Sequence, residues 1–64
     1  MSKLRDKRIA CGFTQRELAQ IASITERGYR QIESGEVSPN IKPAISIADA
    51  LKVKTFAEFK ELFS

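Results

Sequence analysis

Apolar positions recur at three- and four-residue intervals in five blocks, each bracketed by residues that start or stop a helix. The most explicit pair of blocks spans residues 14–35. Thr14 is placed as an N-cap with Glu17 three residues on, the spacing of a capping box. In that arrangement the hydroxyl and the carboxylate each satisfy an otherwise orphaned backbone N–H. Phe13 and Leu18 stand in the hydrophobic-staple relation that sets the angle of helix entry. Thr25 opens a second helix, with Ile24 and Tyr29 in the same relation. Gly35 ends it, because glycine takes the left-handed C′ conformation at no steric cost. Leu18, Ile21 and Ala22, then Ile24, Tyr29 and Ile32, give each helix one face to bury, and Ala19 is small where the two must approach.

Three further helices complete the pattern. Residues 2–11 form the first, ended by Gly12, with Leu4, Arg8 and Cys11 on one face. Arg8 is the odd member of that stripe. A buried charge is costly without a partner, and Glu33 is the candidate for a structural ion pair. Cys11 reads as a small core hydrophobe. After a polar loop over residues 34–41, Asn40 caps a fourth helix with Pro43 in its first turn, where a missing N–H costs nothing. Ile41, Ala44, Ile45, Ala48 and Leu51 run along it at helical spacing, and Lys52 and Val53 break out. Thr55 and Glu58 form a second capping box, opening a last helix to about Phe63. Its aromatic face, Phe56, Phe59 and Phe63 with Leu62, either plugs the end of the core or stays exposed as a dimer contact. The expectation is an all-α chain of five helices forming one domain over residues 1–64.

Composition narrows the chemistry. One cysteine excludes an internal disulfide, and with no histidine in the chain no zinc spacing exists, so neither metal nor cofactor is expected. A small domain without disulfides fits a reducing, cytoplasmic setting. No apolar run approaches the ~20 residues that span a bilayer, so no membrane association is expected. A thiol without a histidine base, no paired acids in a plausible cleft and no phosphate-binding glycine loop leave no catalytic residues and argue against an enzyme. The net charge of +3 is mild but uneven. Residues 1–34 carry seven basic against four acidic side chains, whereas residues 35–64 carry four of each. The excess lies in the half that holds the paired helices, as a phosphate-facing surface requires.

Glu26, Arg27, Arg30 and Gln31 remain on the outer face of the helix that Thr25 opens. A short amphipathic helix held by a preceding one and projecting such groups has the geometry of a helix-turn-helix DNA reader. The chain resembles the lambda-repressor-like helix-turn-helix domains of the Cro/C1 and XRE type. The matching residues are Leu4-Arg5 and Arg8, Gly12-Phe13-Thr14-Gln15, Glu17-Leu18-Ala19, Ile24-Thr25, Tyr29, Ile32-Glu33, Gly35, Pro39, Ile47-Ala48, Ala50-Leu51 and Val53. Together they cover nearly the whole chain.

The resemblance implies a compact five-helix fold whose third helix enters the major groove, and a symmetric homodimer on double-stranded DNA with half-sites ~34 Å apart. It pairs Arg8 with Glu33. It places Gln15 against a phosphate, with Arg16 and Thr25 as further phosphate contacts, and puts Glu26, Arg27 and Gln31 where bases are read. Arg27 suits guanine O6 and N7, Gln31 suits adenine, and Glu26 suits the amino group of cytosine; Arg30 reaches a base or a phosphate. Simpler roles stand beside these. Glu26 also complements the helix dipole, and Arg16 reads as a solvated flank or an indirect phosphate contact. Four positions depart from the family pattern: Ser23 and Lys52 stand where glycine is usual, Gly28 lies inside the third helix, and Glu36 replaces a common basic residue. The leading expectation is a sequence-specific transcriptional regulator, a repressor of phage or mobile-element type that binds a near-palindromic operator as a homodimer. The alternative is a protein-interaction module, antitoxin-like, whose partner binds Phe56, Phe59 and Phe63. At this length dimerisation would have to use the domain itself, through the loop before the fourth helix or the aromatic last helix.

Overall fold

The computed structural model describes residues 2–63, and among them every regular element is helical. The elements are α1 (Lys3–Cys11), α2 (Gln15–Ile21), α3 (Glu26–Ser34), α4 (Ile41–Ala50) and α5 (Phe56–Leu62). Each begins where a side chain meets the free N–H groups of its first turn, α4 excepted. The Ser2 hydroxyl accepts from Arg5 N–H, Thr25 from Gly28 N–H and Thr55 from Glu58 N–H. Thr14 forms the complete box: its hydroxyl accepts from Glu17 N–H at 3.0 Å, and the Glu17 carboxylate accepts from Thr14 N–H at 2.8 Å. At Thr55 only the hydroxyl limb forms, and Asn40 occupies the cap position of α4 without a side-chain bond. Gly35 ends α3 at φ 86°, and its N–H returns to the Gln31 and Ile32 carbonyls.

The helices close around Leu4, Leu18, Ala19, Ala22, Tyr29, Ile47, Ala48, Leu51 and Leu62. Packing of α2 on α3 and on α4, and of α1 on α5, brings these together. Phe13 and Ile24, the two staple residues outside the helices, pack against the edge of this cluster. Ala19 is 2% exposed, so the small side chain does sit at the helix contact.

Four apolar positions are more open than the sequence pattern suggests. Cys11 is exposed, not core; its thiol sits 3.9 Å from the Leu51 carbonyl on the flank of α1. Ile21, in the last turn of α2, is 44% exposed. Along α4 the buried stripe is Ala44, Ile47, Ala48 and Leu51, an i, i+3, i+4, i+7 set. Ile41 and Ile45 lie further round the helix and are 66% and 54% exposed. The aromatic helix divides: Phe59 and Phe63 pack against the core, while Phe56 is 74% exposed.

The missing glycines leave a mark on the backbone. Ser23, in the corner between α2 and α3, has φ 58°, and Lys52, after α4, has φ 60°. A side chain in the left-handed region costs of order 1–3 kcal/mol unless the surroundings enforce it. Ser23→Gly and Lys52→Gly are each expected to raise stability in chemical denaturation by about 0.5–1 kcal/mol, the strain relief less the added freedom of the unfolded chain. Loss of stability in both variants would contradict the reading of these turns as strained.

Candidate nucleic-acid interface

The site is built from the inside out, beginning with the face of α3 that is hidden. Tyr29 is fully buried and Glu33 is 6% exposed, so α3 is pinned to the core one turn apart. Arg8 of α1 reaches this point. Its Nε donates to Glu33 Oε2 at 2.9 Å, Nη2 to Oε1 at 3.3 Å, and Nη1 to the Phe13 carbonyl at 2.8 Å. The fork geometry of the guanidinium satisfies a carboxylate and a backbone carbonyl together, which a lysine would not do. The expected ion pair is therefore present, and it joins α1, the turn before α2, and α3.

Gln15 completes the cluster. Its amide Nε2 donates to Glu33 Oε1 at 3.2 Å, so the first residue of α2 is also fastened to α3. That bond uses one N–H of the amide and leaves the second N–H for another acceptor. Burial alone would raise the Glu33 carboxyl pKa. The hydrogen bond from Arg8, the nearby Tyr29 hydroxyl, the Gln15 bond and the Arg8 charge together outweigh it, leaving the pKa below the ordinary glutamate value. The same pairing raises Arg8. Burial, then the adjacent Glu33, pushes the Tyr29 hydroxyl far up. That hydroxyl is close enough to feel the carboxylate, yet its geometry falls short of a hydrogen bond and its oxygen is unpartnered.

With the inner face fixed, the outer face of α3 presents Glu26, Arg27 and Arg30 exposed and Gln31 half-buried. Arg27, Arg30, Gln31, Ser34 and Glu36 together line one open concavity of about 390 Å³. Ser34 is the member that the sequence reading missed. Its position one turn beyond Arg30 and Gln31 was the available signal. Arg30 Nη1 donates to Glu26 Oε2 at 3.1 Å, whereas the Arg27 guanidinium and the Gln31 amide make no bond among the described residues. Arg16 and Thr25 are exposed, and the Thr25 hydroxyl oxygen is engaged in capping α3. A Cβ on Gly28 would lie 3.1 Å from that same hydroxyl oxygen, so the glycine gives the cap its room. The face holds two guanidiniums against two carboxylates, Glu26 and Glu36, and its local field is correspondingly weak.

Phe56, Phe59 and Phe63 are grouped elsewhere, on α5. The Phe56 and Phe59 rings stack with centroids 6.4 Å apart, and Phe59 meets Phe63 edge-on at 5.4 Å. Between α4 and α5 lies an open groove of about 470 Å³, with Ile41, Ile45, Val53 and Phe56 among its walls and Asp49 and Lys54 as its charged members.

The sequence model of the Cro/C1-type (XRE) helix-turn-helix family matches residues 4–59, from the first turn of α1 into α5. The chain belongs to this family, whose members are DNA-binding transcriptional regulators. Its five helices without strands fit the lambda-repressor-like fold, with α2 and α3 as the motif. Neither the curated proteins nor the solved structures contain a match to the chain. Among the described residues no helix is long and apolar enough to cross a membrane.

The depressed Glu33 pKa carries a pH dependence. Below about 4.3, the ordinary glutamate value, the unfolded state takes up a proton that the folded state still refuses. Stability supplied by this group is thus complete above that pH and falls as pH drops through the folded pKa. Acid titration of the denaturation midpoint is expected to decline across this window in the wild type. Glu33→Gln should begin lower and decline less; an unchanged slope would remove Glu33 from the account.

Proposed function

We propose that this chain is a sequence-specific repressor of phage or mobile-element type, acting as a homodimer that lays α3 in the major groove of a near-palindromic operator. One observation carries the reading: on an α3 whose inner face is locked by Arg8 and Glu33, the side chains of Arg27 and Gln31 are left without partners among the described residues. Unpartnered, they are free to meet base edges. Arg27 takes guanine O6 and N7, and Gln31 takes adenine N6 and N7, each good bidentate pair supplying ~1–3 kcal/mol of discrimination. Arg30, with Glu26 one turn before it on the same face, completes the base-reading surface. The spare N–H of Gln15, with Arg16 and Thr25, takes phosphates and sets the register without reading sequence. Glu36 repels the backbone, so few phosphates are neutralised and affinity depends weakly on salt.

The second copy seats on the groove between α4 and α5. An isologous contact needs a patch that is complementary to itself, and this groove offers exposed Phe56, Ile41 and Ile45 with one acid, Asp49, and one base, Lys54. Across a two-fold axis Asp49 of each copy meets Lys54 of the other. Repression then follows from occlusion of a promoter, and the chain works in the cytoplasm without a cofactor.

In-vitro selection from a random duplex library tests both parts. The wild-type chain is expected to enrich a two-fold symmetric site. Arg27→Ala with Gln31→Ala should relax defined base pairs within each half, and Phe56→Glu should enrich single half-sites. Identical sequences from all three proteins would remove α3 as reader and the groove as dimer contact. A partner-binding module would enrich nothing.

A further inference from the structure

Glu26 and Arg30 stand one helical turn apart on the outer face of α3, joined by the 3.1 Å bond from Arg30 Nη1 to Glu26 Oε2. Arg27 beside them has no partner among the described residues, so the two guanidiniums of this face are not equivalent. We propose that Glu26 and Arg30 act as one composite reader, in which the Glu26 carboxylate positions the Arg30 guanidinium on a single base pair and selects no base of its own. The inference rests on the reading of α3 as the recognition helix and makes Arg30 a base contact rather than a phosphate contact.

What the Glu26 carboxylate prefers decides between the two roles. Reading cytosine would give it a bond to a neutral amino group and leave a bare anion among phosphates. Staying with Arg30 keeps a charge-assisted bond, roughly twice as strong as a neutral one. In the free chain the Arg30 and Glu26 side chains are 53% and 43% exposed, and a surface pair of this kind contributes little to stability. Inside a groove from which water has been displaced, the same bond strengthens. The pair is therefore a specificity device that matters only when the helix is docked. Glutamate preceding arginine at i, i+4 is the favourable order for such a contact. Because Nη1 is committed to Glu26, Nε and Nη2 remain as a fork, and a fork is what guanine O6 and N7 accept.

The test measures guanine-over-adenine preference at every base pair of the selected site, using the full chain as wild type, Glu26→Gln, Arg30→Ala and the double variant. Glu26→Gln keeps a helix-forming side chain of the same size, and circular dichroism verifies the helix content of each protein. Glu26→Gln is expected to lower the preference roughly three- to tenfold at the base pair that Arg30→Ala relaxes, the scale of one oriented contact. The double variant should be no worse than Arg30→Ala alone. If Glu26→Gln relaxes a different base pair, adds to Arg30→Ala, or changes no position, the composite reader fails while the recognition-helix reading stands. If the wild type enriches no sequence, both fall together.

Discussion

The contact between Arg8 and Glu33 is the constraint on which the arrangement of the other parts depends. One guanidinium holds the α3 carboxylate and the carbonyl of Phe13, and the same carboxylate holds Gln15 at the start of α2. Three helices and the turn between two of them are thereby referred to one point. Buried ion pairs are weak evidence for stability as such, since apolar replacements of similar volume are often as stable. What this pair supplies is orientation. Removal of Arg8 alone would strand a carboxylate that is 6% exposed, at a cost of ~3–5 kcal/mol, a large share of what a chain of this size has.

The outer face of α3 follows from the inner one. Tyr29 and Glu33 are held, so the residues between and around them are turned outward in a fixed register: Glu26, Arg27, Arg30 and Gln31. The same logic explains why the backbone tolerates strain at Ser23. The corner must deliver Thr25 to the start of α3, and packing of Ile24 and Ala22 on either side enforces a φ that serine would not choose. Charge, by contrast, contributes little to this face, where acids match bases.

Much of this was legible in the sequence because its determinants are local or because only one partner fits. The Thr14 and Glu17 box, the Thr25 cap and the stop at Gly35 are three-residue or single-residue statements, and the helices begin and end there. Arg8 and Glu33 could be paired on paper because a cation on a buried stripe has few acids to meet. Periodicity was less informative about the edges of a face. It places Ile41, Ile45 and Ile21 on or near an apolar stripe, but which flank a neighbouring helix covers is decided by packing, and these flanks are left open. Cys11 failed for the same reason. The bond from Gln15 to Glu33 spans eighteen residues and has no local signal. The Glu26 and Arg30 contact does have one, the i, i+4 spacing, yet chemistry that looks right for cytosine obscured it.

In the proposed complex the outer face of α3, and not the α4–α5 groove, meets DNA. The direct measurement is a heteronuclear NMR titration of the full chain with a short duplex that carries the enriched site. Progressive shifts are expected at Gln15, Arg16 and residues 25–31, with Ile45 and Phe56 unmoved. Shifts confined to Ile41, Ile45 and Phe56, or none at all, would contradict it.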